Sequence, residues 1–507
     1  MSVSTLPISA ATAQHLERPI FGHVIDGGVV PSIDGHTMPV IDPATGEEVG
    51  VAALGSAADV DRAVRSARAA FDDGRWRYLA PLEKERRLRR MSTLLQERAT
   101  LFGESDTIDS GLLRWYTDAM VEFAVNSIDY FSGWPSKIEG TIPPVPSDLV
   151  AYQVREPHGV LGLIVPWNGP SAVLAFVAAA ISAGNSVVLK PAEQTPMTAV
   201  LMAELADEAG IPKGVLNVVQ GRGDTGAALV EHPGVDALSF TGSRATGTAI
   251  QAAAAKRVTP VSLELGGKSP FIIFPDADLE AAASAAMMGV WMASGQVCTA
   301  GTRVLIHKDV HDELVDKIVS ESRDIRIGSG FDPDSQLGPL VSAEQLERVE
   351  RYVAIGADEG AELALGGARH GDVGFFHQPT IFTGVRNEMR IAQEEIFGPV
   401  MSILRFDSEA EAYAIANDTE YGLGAGVWTN DLALAYRATR ALRTGQVWVN
   451  TYQAGYPTVA YGGVKMSGHG RMQGRPTVEE LTHIKSVWMK VGDPPVLVGG
   501  ADPPPAF

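Results

Sequence analysis

The 507-residue chain is predicted to be an α/β protein with two regions of alternating strands and helices. Three observations predict this. Short apolar runs of strand length recur at residues 160–165, 187–189, 215–219 and 237–240. Ala-rich stretches long enough for helices lie between them, as at 197–209 and 245–255. The alternation then resumes from Pro270 to about Asn450, with apolar runs at 271–274 and 400–406 and a helical run at 279–293. Strands separated by helices pair in parallel through right-handed crossovers. Open sheets of this kind bind ligands beyond the carboxyl ends of their strands.

Ahead of the first alternating region the pattern is helical. Ser56-Ala57-Ala58-Asp59 reads as a capping box, and Val60, Ala63, Val64, Ala67 and Phe71 follow at helical spacing. Leu88, Met91 and Leu95 mark a second amphipathic helix among Arg and Glu. The start of the chain, to Gln14, lacks the basic and apolar segments of an export signal. The most apolar stretch, 172–181, is too short to span a bilayer. A cytoplasmic protein is expected. Residues 491–507 are rich in Pro and Gly, the composition of a poorly ordered end.

Composition excludes several functions. Hydrophobic content of 45% and charged content of 20% are ordinary for a globular protein, and the length allows two or three domains. Lys+Arg number 41 against 61 Asp+Glu, a net charge of −20. Such a chain repels nucleic acid and anionic lipid, so neither is expected as a partner. There is one cysteine, Cys298, so neither an internal disulfide nor a thiolate-rich metal site can form, and no metal is expected. A lone Cys is either a small buried hydrophobe or a nucleophile.

Six segments fall after apolar runs or before turns and helices. They are Val165-Pro166-Trp167-Asn168, Leu189-Lys190-Pro191-Ala192-Glu193, Phe240-Thr241-Gly242-Ser243 with Gly247, Leu263-Glu264-Leu265-Gly266-Gly267-Lys268, Gly295-Gln296-Val297-Cys298, and Glu394-Glu395-Ile396-Phe397-Gly398-Pro399. In order and spacing the set resembles the aldehyde dehydrogenase superfamily, from about Gly22 to Val491. The resemblance implies a Rossmann-like parallel-sheet cofactor domain (residues 1–136 and 155–262) and a second α/β catalytic domain (263–472). It also implies a small β oligomerisation element with the tail (137–154 and 473–507). Homodimers or homotetramers are expected, built through strands near 137–154 and 482–491.

The implied chemistry is coherent. Cys298, at the start of a turn in a pocket expected to lower its pKa, attacks the aldehyde carbon. The Asn168 amide and the Cys298 backbone N–H stabilise the oxyanion. Hydride leaves for a nicotinamide, and Glu264 activates the water that hydrolyses the resulting thioester. Ser243 and the free amides after Gly242 are expected to bind the pyrophosphate, Gly247 to permit close helix packing, and Trp167 and Leu265 to line the cofactor site. Lys190 and Glu193 meet the adenine ribose, where the Glu193 carboxylate favours NAD over NADP. Glu395 holds the nicotinamide ribose and Phe397 packs beside the nicotinamide. Gly221-Arg222-Gly223-Asp224-Thr225-Gly226 matches the dinucleotide fingerprint by itself, but the resemblance makes it a turn near the adenine, with Gly223 at the cofactor.

For the substrate, the resemblance implies a tunnel of Val173, Phe176, Met292, Val297, Thr299, Gln453, Gly455 and Tyr461. With no Arg or Lys there to grip a carboxylate, a neutral, medium-sized or aromatic aldehyde is expected. The chain departs from the family at Gly169, where many relatives have an aromatic, at Ala293, where many have Asn, and at Met472, where Glu is common. Cys298 and Glu264 alone would also permit a thioesterase or amidase, and a non-catalytic relative is a third reading. A CoA-acylating enzyme is disfavoured by the presence of Glu264.

Overall fold

The computed structural model describes residues 6–492, and the Pro- and Gly-rich end beyond them lies outside the described residues. Two seven-stranded sheets organise the chain. In spatial order the first runs Val261–Leu265, Ala237–Gly242, Val160–Ile164, Ser186–Lys190, Leu216–Val218, His23–Ile25 and Gly28–Val30. Its first five strands are parallel, and the last two form an antiparallel hairpin at the edge. The second runs Glu362–Leu365, Thr380–Thr383, Val400–Phe406, Arg303–His307, Pro270–Ile273, Gly424–Trp428 and Gln446–Val449, parallel except at its first pair.

Both sheets are covered on both faces, and the strand sequences explain how. Successive side chains alternate between faces, so an entirely apolar strand supplies two cores. Val160 and Ile164 join Val188, Val219 and Leu238 on one face, under Val60, Ala63, Val64 and Ala67 of the helix Ala57–Asp72. Leu161 and Leu163 join Val187 and Leu189 on the other, against the helices Leu174–Ser182 and Met197–Glu208. The second sheet repeats the arrangement: Ile272, Leu305 and Leu404 point one way, and Phe271, Ile273, Val304 and Ile403 the other. Each fully buried aliphatic or aromatic side chain contributes about 1.5–3 kcal/mol.

The capping box forms: Asp59 accepts from the Ser56 N–H at 2.9 Å. It also takes Ser32 Oγ and the Ile33 N–H, tying the helix start to an earlier loop. The N-terminal region is not only helical, however. Besides the edge hairpin, Thr37–Ile41 pairs with Glu48–Ala53. The edge hairpin turns on Asp26-Gly27, with φ of 53° and 73°, the left-handed pair a tight hairpin requires.

Glu264 lies within the strand Val261–Leu265, so the first sheet extends past a division at 262/263 and the chain leaves it at residues 266–269. Another two-stranded sheet sets Thr482–Lys490 antiparallel to Leu149–Pro157. It exposes Ile484, Trp488 and Met489. Among the described residues no helix is long and apolar enough to cross a membrane, and no cluster of three or more His, Cys, Asp or Glu could hold a metal ion.

Candidate active site

The carboxyl ends of the first sheet's parallel strands carry most of the singled-out residues. Val160–Ile164 leads into Trp167 and Asn168, Ser186–Lys190 into Glu193, Ala237–Gly242 into Ser243, and Val261–Leu265 contains Glu264. Two adjoining cavities open there. A cleft of about 550 Å³ is lined by Trp167, Lys190, Glu193, Gly223, Gly242 and Ser243, among others. A smaller one of about 210 Å³ is lined by Asn168, Glu264, Leu265, Cys298, Glu395 and Phe397, among others. Pro166, Trp167, Gly242 and Ser243 line both, so the two are continuous.

Cys298 is placed by a stapled loop. The helix Leu279–Trp291 ends where Ala293, Ser294 and Gly295 take left-handed φ of 50°, 56° and 72°. The buried Gln296 then fixes the chain. Its Nε2 donates to the Ala293 carbonyl at 3.1 Å and its Oε1 accepts from the Val341 N–H at 3.0 Å. The turn at Val297–Ala300 follows, closed by an Ala300 N–H to Val297 carbonyl bond of 2.9 Å. Asn168 Nδ2 donates to the Gln296 carbonyl at 2.8 Å, holding its amide beside the same loop, with one N–H left over.

Electrostatics at the thiol differ from the expectation. The surrounding protein desolvates Cys298 and pushes its pKa up to about 11, and Glu395 and Glu264 push the same way. The pocket therefore does not lower the thiol's pKa, because burial outweighs the opposing hydrogen bonds from Tyr461 and the Thr299 backbone. Glu264 is 4% exposed, and neither carboxylate oxygen has a hydrogen-bond partner. Burial raises its pKa well above the carboxylate range, partly opposed by Arg471. With neither oxygen engaged by the protein, both are free to meet a water molecule.

In the larger cleft, the Lys190 ammonium is buried and lies 3.3 Å from Glu193, whose carboxylate is part-exposed. Ser243 caps the helix Arg244–Ala255, accepting from the Thr246 N–H at 3.2 Å, and leaves other first-turn amides free for an anion. A Cβ on Gly247 would stand 2.5 Å from Leu265 Cδ2, so the close helix approach needs glycine there. Gly223 begins the helix Gly223–Glu231 with open space around it. Glu395 accepts from the Gly267 N–H at 3.1 Å and lies over Gly266, where any Cβ would overlap its carboxylate. Burial raises Glu395 to about 7. Phe397 packs edge-on against Trp167, centroids 5.3 Å apart, from a left-handed φ of 61°.

The residues expected to meet substrate are not all brought together. Tyr461 Oη is 3.0 Å from Cys298 Sγ. Met292 and Val297 pack with Leu112, Tyr116, Met120 and Ala293 in a small apolar cluster. The Thr299 carbonyl accepts from Tyr452 Oη at 2.7 Å. Gln453 has a left-handed φ of 55° and a buried, unpaired Nε2, and Gly455 faces open space. Val173 is buried in the main core, and Phe176 lines a separate groove with Leu161, Leu163 and Glu480. None of the eight lines the cavity that holds Cys298, although Tyr461 Oη reaches its sulfur.

Sequence reasoning missed Tyr116 and Met120, spaced i, i+4 on the helix Arg114–Ser132, and Gln345 and Arg348, spaced i, i+3 on Ala343–Asp358. The helical spacing was a readable signal, but nothing local to those helices says that Tyr116 and Met120 pack beside the Cys298 loop or that Gln345 and Arg348 line its cavity. The departures also find places. A Cβ on Gly169 would meet Met120 Sδ at 3.9 Å, so a larger residue there would enter the space beside that cluster. Ala293 bears a left-handed φ that Asn tolerates better than Ala. The Met472 backbone pairs with Tyr461 in both directions, at 2.7 and 2.6 Å.

Known proteins bear directly on this arrangement. The aldehyde dehydrogenase family profile matches residues 30–487. Aldehyde dehydrogenase 1 of Tanacetum cinerariifolium is 43% identical over 480 residues, covering 93% of this chain and 96% of that one. The NAD+ complex of an aldehyde dehydrogenase from Bacillus cereus superposes with a TM-score of 0.94 at 38% identity, covering 96% of this chain and 100% of that one. The indole-3-acetaldehyde dehydrogenase AldA of P. syringae, in complex with NAD+ and IAA, gives 0.91 at 40% identity, covering 94% and 99%.

Proposed function

The chain belongs to the aldehyde dehydrogenase family, and from that premise we propose that it oxidises a neutral, medium-sized or aromatic aldehyde to the carboxylic acid through a covalent intermediate on Cys298. It is an NAD-dependent enzyme. The observation that carries the mechanism is that Cys298, Asn168, Glu264 and Glu395 line one cavity, continuous with a dinucleotide-sized cleft.

The residues of the cleft fit NAD. An uncrowded helix N-terminus suits the pyrophosphate, and the Lys190–Glu193 pair suits ribose hydroxyls. Glu193 would repel a 2′-phosphate, which favours NAD over NADP. Glu395, fixed by the Gly267 amide, suits the second ribose. When bound, NAD supplies the acceptor for the hydride that leaves the substrate carbon.

The chain's own groups do the rest. Cys298 Sγ forms the carbon–sulfur bond, and the Asn168 amide with the Cys298 N–H holds the oxyanion of the thiohemiacetal. After oxidation the acyl group remains on Cys298 as a thioester. Glu264 takes a proton from water, which attacks the thioester carbon, and the acid leaves as sulfur regains its proton. Both Glu264 oxygens are buried without a protein partner, which supports that role.

The apolar cluster of Leu112, Tyr116, Met120, Met292 and Val297 beside the Cys298 loop supports a substrate with an apolar body over a small acid. Steady-state assays with benzaldehyde and succinate semialdehyde test this. Benzaldehyde should show the higher kcat/KM, and a clear preference for succinate semialdehyde would refute it. The two-stranded arm, with Ile484 and Trp488 exposed, supports assembly as a homodimer or homotetramer.

A further inference from the structure

A thiol desolvated to a pKa of about 11 is a poor nucleophile near neutrality, so something in the pocket must favour its thiolate. The titratable groups that face it are Glu264 on its strand, Glu395, Tyr116 on the helix Arg114–Ser132, Tyr452 and Tyr461. The two carboxylates oppose a thiolate. Tyr452 has its hydroxyl engaged with the Thr299 carbonyl at 2.7 Å. Tyr461 alone of these groups makes a hydrogen bond to the sulfur, at 3.0 Å.

With a thiol either partner can donate, but once sulfur carries the charge only the phenol can. Desolvation and the nearby sulfur hold the Tyr461 phenol well above its usual pKa, so its proton stays in place when the sulfur loses its own. The backbone keeps the hydroxyl there. Tyr461 is bonded to Met472 in both directions, and its neighbour Gly462 lies against Glu264, so one loop seats a hydroxyl on the thiol and its main chain against the base. From this geometry we infer that Tyr461 is a positioning residue that donates its phenolic proton to the Cys298 thiolate and so sets how much thiolate is available for attack. The inference rests on Cys298 being the nucleophile of the proposed reaction.

The single cysteine makes the test specific, because iodoacetamide can alkylate a thiol at one position only. Alkylation rates of the full-length protein are measured between pH 7 and 9 for wild type, Tyr461→Phe and Tyr116→Phe. Losing a hydrogen bond to a charged sulfur should leave about tenfold less thiolate. The remaining thiolate is about threefold more nucleophilic, so alkylation should slow about threefold at every pH. Tyr116→Phe should alkylate at the wild-type rate, and the KM for NAD of Tyr461→Phe should not move. Tyr461→Met is made alongside, so that a poorly folded Phe variant still leaves a decisive comparison. Alkylation of both Tyr461 variants at the wild-type rate or faster would overturn the inference, as would equal slowing by Tyr116→Phe. If fully alkylated wild type still oxidises aldehydes, the Cys298 reading itself fails. If alkylation abolishes turnover but the rates coincide, only the role of Tyr461 fails.

Discussion

At the scale of single residues, the site is a carboxylate, an amide and a thiol whose roles separate by environment. Glu264 has no partner for either oxygen, so replacing it with Gln should leave the fold and the first half of the reaction intact. A burst of NADH matching the enzyme concentration, followed by slow turnover, is expected in stopped-flow absorbance. Wild-type steady-state rates in that variant would remove Glu264 from the role of base. Asn168→Ala should lower kcat about 10²–10³-fold, the usual cost of an oxyanion donor. Part of that loss will reflect the loop, since the Asn168 amide also holds the Gln296 carbonyl. Residue identities were the most legible layer of the sequence, because six short segments carry them. The pKa of Cys298 was not legible. It depends first on how deeply the fold buries the sulfur, and then on the groups placed beside it, Tyr461, Glu395 and Glu264.

At the scale of elements, strands and helices followed their apolar runs closely. Residues 400–406 form a strand with those ends, and 197–209 became Met197–Glu208. The run at 279–293 did not continue as helix, since Ala293 and the two residues after it turn left-handed to aim the Cys298 loop. The edge hairpin was overlooked although Asp26-Gly27 is a strong hairpin pair, because its strands are only three residues each. The Cys298 loop gives the sharpest element-level prediction. Gly295 has φ of 72°, and a Cβ there would meet the Gly398 carbonyl oxygen at 2.1 Å. Gly295→Ala should cost about 2–4 kcal/mol, read by urea unfolding. A variant as stable as wild type would mean the loop is not pinned against Gly398.

At the scale of the whole molecule, two sheets hold the cofactor cleft and the thiol loop together, while an arm reaches outward. Trp488→Glu on that arm should shift sedimentation toward smaller species, and an unchanged sedimentation coefficient would place the subunit contact elsewhere. Stability should also depend on pH through the buried acids. Asp106 and Glu395 have folded pKa values raised to about 6 and about 7. Their protons are held by the folded chain and already lost by the unfolded one across the pH range from about 4.5 to 7, so their contribution to stability falls as pH rises through it. His15 and His23, buried with pKa values lowered to about 3 and about 4, act in the opposite direction, so the effect of Glu395 is read by difference: from pH 5 to pH 7.5 the urea midpoint of Glu395→Gln should rise relative to that of wild type, and a constant difference would contradict it. The arm follows the strands expected near 137–154 and 482–491, whereas the contact of Gly462 with Glu264 was beyond the reach of the sequence, since it joins segments far apart in the chain. The central claim is that the acyl group passes through Cys298. Intact-mass and peptide analysis of the Glu264→Gln variant, quenched after mixing with NAD and benzaldehyde, tests it most directly. One benzoyl group per chain on the Cys298 peptide is predicted; NADH formed with that peptide unmodified would contradict it.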